Sequence, residues 1–447
     1  MITALLLVAL AFPLAPVRER WVVGLPRNSA AAMEIRSALE RYPVAGRLPF
    51  AWAVDLSPEE LAQVRSFSVR YLEKDQPLTV SKRQTADCFG EQWTLRPVDG
   101  FPPSATMDIE SAWEVVTGDR SVRIAVVDDG VEAEHPELAG RVVGAVNLSD
   151  DGLPPGALSL RDDHGTQTAG IIGAARDGIG ITGVCPDCAL LSVRLLGDGG
   201  PDDLYQTSSF AAASAISWAV ENGAAVINNS WGPPDGNPFS PNAPRSSYAL
   251  PLALDDAIDF AVTEGRSGLG TVLVWSAGNG GEPIAYDAFA RDPRVLAVGS
   301  IDFTGRRAVY SDWGSALDLM TPSSGESGDP AVFATDRLGA LGDSARNDVA
   351  CADADACSEV CLEDFTREFG GTSASAAHVA GIAGLIASRY PELTAAQIIE
   401  SMLLSAIPVD GLGASGVPSP RYGYGRVDPA AALAEAGAAL SGRTRFF

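Results

Sequence analysis

The sequence predicts an α/β fold, a doubly wound parallel sheet with helices on both faces, preceded by a small α+β unit. Three observations carry this. From Asp108 onward, apolar runs of strand length alternate with longer helical patterns, the order that lays strands side by side in one sheet. Val122-Arg123-Ile124-Ala125-Val126-Val127 reads as a buried strand, and it ends in Asp128-Asp129-Gly130, at the end of a strand where open α/β sheets place their sites. Gly370-Gly371 makes a turn, and the run from Thr372 through Ala387 is small and apolar nearly all round, as a buried helix is. A length of 447 residues allows a large core and a second domain.

In chain order, Leu5 to Leu10 is a hydrophobic run followed by Ala11-Phe12-Pro13-Leu14-Ala15-Pro16. It is short for a bilayer span and reads as a signal peptide over residues 1–17, although no Lys or Arg precedes it. No later segment reads as a transmembrane helix. The α+β unit covers 18–83: strand-like Trp21–Leu25, helical Ala30–Arg41, strand-like Ala51–Leu56, and a helix start at Ser57-Pro58-Glu59-Glu60 with Pro at its first position. At its end stands Ser81-Lys82-Arg83-Gln84, which holds the only Lys-Arg pair of the chain.

The second unit is expected over 84–440, with a tail at 441–447. Its strands include Arg123–Val127, Ala189–Arg194, Ala225–Asn228, Thr271–Trp275 and Val295–Val298. Its helices are expected at Ser104–Val116, His164–Ala175, Thr207–Asn222, Pro251–Gly265 and Ser373–Arg389. Thr394-Ala395-Ala396-Gln397 has the capping-box pattern of a further helix.

Composition narrows the function. Against 32 basic residues stand 57 acidic ones, a net charge of −25, which disfavours nucleic acid and suits cationic substrates. Six cysteines fit an exported protein with disulfides. Cys185-Pro186-Asp187-Cys188 has metal or redox spacing but no second pair beside it, so a structural disulfide is the better reading; Cys351, Cys357 and Cys361 cluster in one acidic loop.

Ser373 sits where a buried helix starts, beside free backbone N–H groups and the positive end of the dipole, a position suited to a nucleophile that creates an oxyanion. The same position also suits a plain N-cap, Thr372 or Ser373. A nucleophile needs a base and an orienting acid. Of three histidines, His378 lies on the helix of Ser373 itself and His135 in a turn-like stretch, whereas His164 opens a helix of its own. The order Asp128, His164, Ser373 is one of the known orders of such a triad.

Val127-Asp128-Asp129-Gly130, His164-Gly165-Thr166, Ser276-Ala277-Gly278-Asn279-Gly280 and Gly371-Thr372-Ser373-Ala374-Ser375 together resemble the subtilases, and the resemblance covers residues 87 to 430. It implies a subtilisin-like fold and a serine endopeptidase in which Asp128 orients His164, His164 takes the Ser373 proton, and Asn279 points its amide at the oxyanion. Ser230-Trp231-Gly232 matches the strand edge that pairs with extended substrates. Tyr424-Gly425-Arg426-Val427-Asp428 resembles the family's closing turn, and Ala377 departs from the usual proline. The 18–83 unit resembles the family's propeptide, which assists folding and occupies the active site; cleavage is expected between Arg83 and Gln84.

Asp129, Trp231-Gly232-Pro233-Pro234-Asp235-Gly236 and Gly278-Asn279-Gly280-Gly281 are similar to the kexin/furin branch. That implies Asp129 facing the second residue before the scissile bond, Asp235 and Asp287 in the primary specificity pocket, and cleavage after Arg or Lys-Arg. The 74 residues after Ser373 leave no room for that branch's P domain. The resemblance also implies structural Ca²⁺. Ala175, Ile179 and Ile181 would offer carbonyls and Asp177, Glu137 and Asp87 carboxylates, while a second site would use Asp235, Asp312 and Glu282. The expected protein is a secreted or periplasmic monomer acting on protein or peptide substrates and binding its own propeptide, with no nucleic acid and no membrane span. The alternatives are a broad-specificity subtilase and an inactive subtilase-fold binding protein.

Overall fold

The computed structural model describes residues 18–75, 77–82, 92–97, 99–149, 151–156, 158–159, 161–177, 180–197, 204–239, 247–342, 364–409 and 417–441. They divide into two compact units, one through Gln76 and one from Pro77 onward.

The first unit holds β1 (Glu19–Gly24), α1 (Ser29–Leu39), β2 (Val44–Arg47), β3 (Ala51–Leu56), α2 (Pro58–Val64) and β4 (Tyr71–Lys74), with the strands in the order β2-β3-β1-β4. Its strands pair antiparallel. Local chemistry sets the helix ends: Asn28 caps α1 through Ala30 N–H, and Ser57 with Glu60 closes a capping box on α2, whose first position is Pro58. Val23, Leu39, Val54, Leu56 and Val64 form its core.

The second unit runs β5 (Pro77–Lys82), α3 (Ile109–Trp113), β6 (Arg123–Asp128), β7 (Val142–Asn147), α4 (His164–Gly173), β8 (Ala189–Arg194), β9 (Leu204–Ser208), α5 (Ser209–Glu221), β10 (Ala224–Asn229), β11 (Trp231–Gly232), α6 (Leu252–Gly268), β12 (Val272–Ser276), β13 (Leu296–Ile301), β14 (Leu319–Pro322), β15 (Val332–Thr335) and β16 (Phe365–Phe369), then α7 (Gly371–Arg389), α8 (Ala395–Ser405) and α9 (Pro429–Leu440). Seven strands form one parallel sheet in the order β14-β13-β12-β10-β6-β8-β7. The order doubles back between β6 and β10, so the strand ends there open a crevice. β6, β8, β10, β12 and β13 have essentially no exposed apolar residue, as expected of strands covered on both faces.

Helix α7 lies at the centre of the core. Every residue from Gly371 to Ala387 is buried, and the helix packs on the sheet and on α4. Cys185 and Cys188 form a disulfide; Cys88, Cys351, Cys357 and Cys361 lie outside the described residues.

Several expected bounds shift. Instead of one helix over Ser104–Val116 there is a 3-10 turn at Pro103–Ala105 and then α3, which Asp108 caps through Ser111 N–H. The expected helix start at Thr207 is strand instead, because β9 hydrogen-bonds along β5; Ser208 then caps α5. The stop at Gly265 is where α6 leaves helical geometry (φ −55, ψ 150) before Arg266 and Ser267 turn left-handed. β7, β9 and β14 to β16 are additional to the strands that the sequence predicts.

Candidate active site

Asp128 is the last residue of β6 and His164 the first of α4. His164 Nδ1 lies 2.9 and 2.8 Å from the two carboxylate oxygens of Asp128, with both side chains fully buried. A carboxylate there only accepts, so Nδ1 carries the proton and Nε2 is left basic. The Asp128 turn is held by Leu195 and Leu196 N–H groups on its carbonyl, at 2.8 and 3.1 Å. The Phe369 ring stands edge-on to His164 at 5.3 Å, which brings the end of β16, four residues before Ser373, against the imidazole.

Gly371 at φ +71 makes the turn into α7, a conformation that a side chain resists. Ser373 falls in the first turn, where the expected helix start lay. Its hydroxyl donates to the Ser230 carbonyl at 3.4 Å; in return Ser230 Oγ donates to the Ser373 carbonyl at 3.2 Å and receives Asn228 Nδ2 at 2.9 Å. Ser230, expected as substrate edge, thus also fixes the backbone of Ser373.

Asn279 follows β12 through Gly278, whose φ of +118 favours glycine. Asn279 Oδ1 accepts from Thr372 N at 2.9 Å and Thr372 Oγ1 at 3.1 Å, which turns its NH2 the other way. Nδ2 is buried with no hydrogen-bond partner among the described residues. An unmet buried donor costs about 1–3 kcal/mol, a cost that functional sites carry for an incoming acceptor.

The other histidines are structural. His135 Nε2 lies 2.9 Å from the Asp364 carbonyl, and its Nδ1 accepts Glu137 N–H at 3.2 Å. His378 contacts Thr94 Oγ1 at 3.2 Å, and burial pushes its pKa down to about 3.

The expected pocket acids all accept backbone N–H groups. Asp129 is fully buried, and its oxygens accept from His164 N (3.2 Å) and Gly165 N (2.7 Å). That geometry is a cap on α4, where a carboxylate meets the helix dipole. Asp287 Oδ1 accepts from Phe289 N (2.7 Å) and Ala290 N (3.1 Å) in a local turn. Asp235 receives Asn279 N–H at 3.0 Å and gathers with Glu282 and Asp312, the ligand oxygens all within 4.8 Å of one another. Gly236 N (2.8 Å) and Glu282 N (2.9 Å) fix the Glu282 and Asp312 carboxylates in turn. Three carboxylates held so close, with oxygen donors only, suit a hard divalent cation.

Of the first expected metal set, Asp87 and Ile179 lie outside the described residues, as do Arg83 and Gln84. Glu137, Ala175, Asp177 and Ile181 are described. Burial and then the Asp177 charge push the Glu137 carboxyl up to about 8, and its Oε2 is buried without a hydrogen bond among the described residues. Ala175 N–H donates to the Glu137 carbonyl at 3.0 Å, tying the loop to it. Gly180 (φ +55) passes so close that a Cβ there would stand 2.4 Å from Glu137 Oε1. A buried acid beside a second one, with one Glu137 oxygen not hydrogen-bonded among the described residues, fits a cation as well.

β11 is a substrate-like edge already in use. It pairs antiparallel with β5, Trp231 opposite Lys82 and Gly232 opposite Ser81, and β9 pairs with the other side of β5. Behind it the Trp231 ring packs on Trp275 at 4.8 Å and on Phe289 at 5.7 Å, and Trp275 Nε1 donates to the Trp231 carbonyl at 2.6 Å. Arg194, Asp162 and Phe369 also border the site and were not expected; a charged residue closing the apolar strand Ala189–Arg194 was the available signal.

The chain is similar to known proteins in sequence and in fold. A model described as "Subtilase family" matches residues 119–425. A calcium-dependent protease of Nostoc sp. (strain PCC 7120 / SAG 25.82 / UTEX 2576) is 31% identical over 432 residues, 92% of this chain and 57% of that protein. The chain therefore spans just over half of that relative's length. Subtilisin DY of Bacillus licheniformis is 29% identical over 284 residues, 62% of this chain and 81% of its own. The crystal structure of fervidolysin from Fervidobacterium pennivorans, described as a keratinolytic enzyme related to subtilisin, superposes with a TM-score of 0.66 at 22% identity, covering 93% of this chain and 61% of that one. The fold is subtilisin-like.

Proposed function

The chain belongs to the subtilase family, and from that premise we propose that it is a serine endopeptidase. Ser373 Oγ attacks the scissile carbonyl while His164 Nε2 takes its proton, and Asp128 stabilises the imidazolium through Nδ1. The oxyanion is met by Asn279 Nδ2 and by backbone N–H at the start of α7. His164 then protonates the leaving amine, and water repeats the sequence on the acyl-enzyme. The observation that carries this reading is the buried Asp128–His164 pair, with Asn279 turned so that one amide donor has nothing to bind.

Substrate is read as an added strand on β11. The β5 pairing supports removal of the 18–83 segment by the same site: Lys82 lies opposite Trp231, the neighbour of Ser230, and Ser230 touches the nucleophile. The bond proposed for that cleavage is Arg83–Gln84, at the one Lys-Arg pair of the sequence. A preference for basic side chains would rest on the carboxylates of Asp129, Asp235 and Asp287, each of which also accepts a backbone N–H. Those backbone engagements favour the second reading, a broad-specificity enzyme.

Calcium is the proposed structural ion, held by Glu137, Asp177 and the carbonyls of Ala175 and Ile181 at one site and by Asp235, Glu282 and Asp312 at the other. Two observations support it, the idle Glu137 oxygen and a relative named as a calcium-dependent protease. When bound, the ion neutralises these carboxylates. We also propose export, residues 1–17 acting as leader; among the described residues no helix is long and apolar enough to cross a membrane.

A fluorophosphonate probe tests the class. Wild type should be labelled at Ser373 and Ser373→Ala should not; an unlabelled but correctly folded wild type would leave the inactive binding protein. Peptides ending in Lys-Arg and in Ala-Leu before the bond, cut at equal rates, would leave the broad-specificity reading.

A further inference from the structure

Arg194 ends β8, directly opposite Asp128 on β6 and Asn147 on β7. It is among the largest fully buried side chains of the protein. Its guanidinium reaches three segments at once. Nη1 donates to the backbone carbonyl of Asp129 and to the carboxylate of Asp162; Nε donates to Asp151 Oδ2 at 3.0 Å, and Nη2 to the same oxygen. Asp162 stands two residues before His164, and its Oδ2 also receives Ser159 N–H at 2.6 Å. One planar cation therefore joins the turn that carries Asp128 to the segment that delivers His164, a bridge only a fork of fixed donors can make.

We propose that Arg194 is a positioning residue for the triad: it sets the distance between Asp128 and His164 and offsets the acids gathered around the imidazole. The proposal rests on the reading of Ser373, His164 and Asp128 as a protease triad.

The charge balance at His164 gives the bridge its second role. The buried charged groups on the segments that hold His164 are Asp128 and Asp129 from β6, Asp162 and Asp163 from the segment before α4, and Arg194 from β8, while Phe369 of β16 packs on the ring and carries no charge. Glu132 and Arg337, farther out, pair with each other. Carboxylates near an imidazolium favour its charged form and a nearby cation opposes them; among these acids, burial and then the Asp129 charge push the Asp162 carboxyl up, while Arg194 pulls it down. Arg194 is the cation set among them. Burial works against its charge, yet Asp151 and Asp162 more than compensate, and it stays protonated.

The test is the rate of fluorophosphonate labelling of Ser373 against pH, with peptide KM and kcat measured alongside, on full-length Arg194→Met and Arg194→Lys. Folding is checked by tryptophan fluorescence. Arg194→Met removes the charge, so the acid limb of the labelling profile should move up by about one pH unit, the scale on which neighbouring charges displace a histidine. Arg194→Lys keeps the charge but loses the fork. Its acid limb should stay in place while the maximal labelling rate and kcat fall at least tenfold with KM unchanged. A folded Arg194→Met with its acid limb unmoved would overturn the electrostatic role. Arg194→Lys with the wild-type maximal rate would overturn the positioning role, and it decides the matter if Arg194→Met does not fold. Failure of the triad reading looks different: wild type itself would not be labelled.

Discussion

Asn279 has its carbonyl oxygen committed to Thr372 and its NH2 left over, so a change there separates chemistry from folding. Asn279→Ala should lower kcat about 10²–10³-fold with little change in KM, the magnitude being the one known for the equivalent donor of subtilisin itself. Steady-state kinetics on a peptide checks it, and a loss confined to KM would show that the amide binds ground-state substrate instead. Asp318 offers a pH test far from the triad. Burial raises its carboxyl to about 6, against the Ala297 N–H it accepts at 2.8 Å. A raised acid means the folded state holds the proton more tightly than the unfolded one. Stability is then greatest below about pH 4 as far as this group is concerned, and falls as pH rises toward 6. Asp318→Asn keeps an acceptor for Ala297 and removes the charge. It should gain about 1–2 kcal/mol at pH 7, discounted for partial exposure, and nothing at pH 4. Urea midpoints in the Ser373→Ala background read both values.

At the scale of elements, α7 shows how closely the core is fitted. A Cβ on Gly381 would stand 2.5 Å from Val184 Cβ, and Val184 cannot retreat freely because its N–H is bonded to the Ile171 carbonyl at 2.8 Å. Gly381→Ala sets a helix-propensity gain of about 1 kcal/mol against an overpacking cost of about 1–3 kcal/mol. The second should win, with a lower Tm in the Ser373→Ala background; a higher Tm would show that the α7–Val184 contact is slack. What the sequence makes legible divides along the same line. Ala51–Leu56 and Ala189–Arg194 match their expected bounds to the residue, because an apolar run bounded by turn residues is a local signal. Asp128, His164, Asn279 and Ser373 are legible as short motifs at the ends of such runs. β9 reads as the start of a helix because its strand geometry comes from β5, more than a hundred residues away, and nothing local encodes a distant partner. The backbone partners of Asp129 and Asp287 are hidden for a related reason: a carboxylate in a motif does not reveal which backbone N–H groups will reach it.

For the molecule as a whole, a net charge of −25 makes any cation stabilising to some degree, so the calcium proposal has to be separated from plain screening. Screening acts on exposed charges and depends on ionic strength, whatever the ion. The two carboxylate sets are different in kind: Glu137 is buried beside Asp177, and Asp235, Glu282 and Asp312 are fixed by backbone N–H groups with their oxygens within 4.8 Å. An ion that binds only the native state stabilises by RT ln(1 + [L]/Kd), about 2.7 kcal/mol at a hundredfold excess over Kd. For a unit of this size that is a rise in Tm of roughly 3–4 °C per ion. Full-length Ser373→Ala, which cannot digest itself, should therefore melt higher in millimolar calcium than in chelator, at constant ionic strength set with sodium chloride. Magnesium should do much less, since it demands tight octahedral geometry and sheds water reluctantly. Asp177→Ala and Asp312→Ala should each remove part of the rise, and the two together nearly all of it, because the sites share no ligand. Equal melting temperatures in calcium and in chelator would mean that these acids are stabilised by the protein alone, and the calcium proposal would fall at both sites.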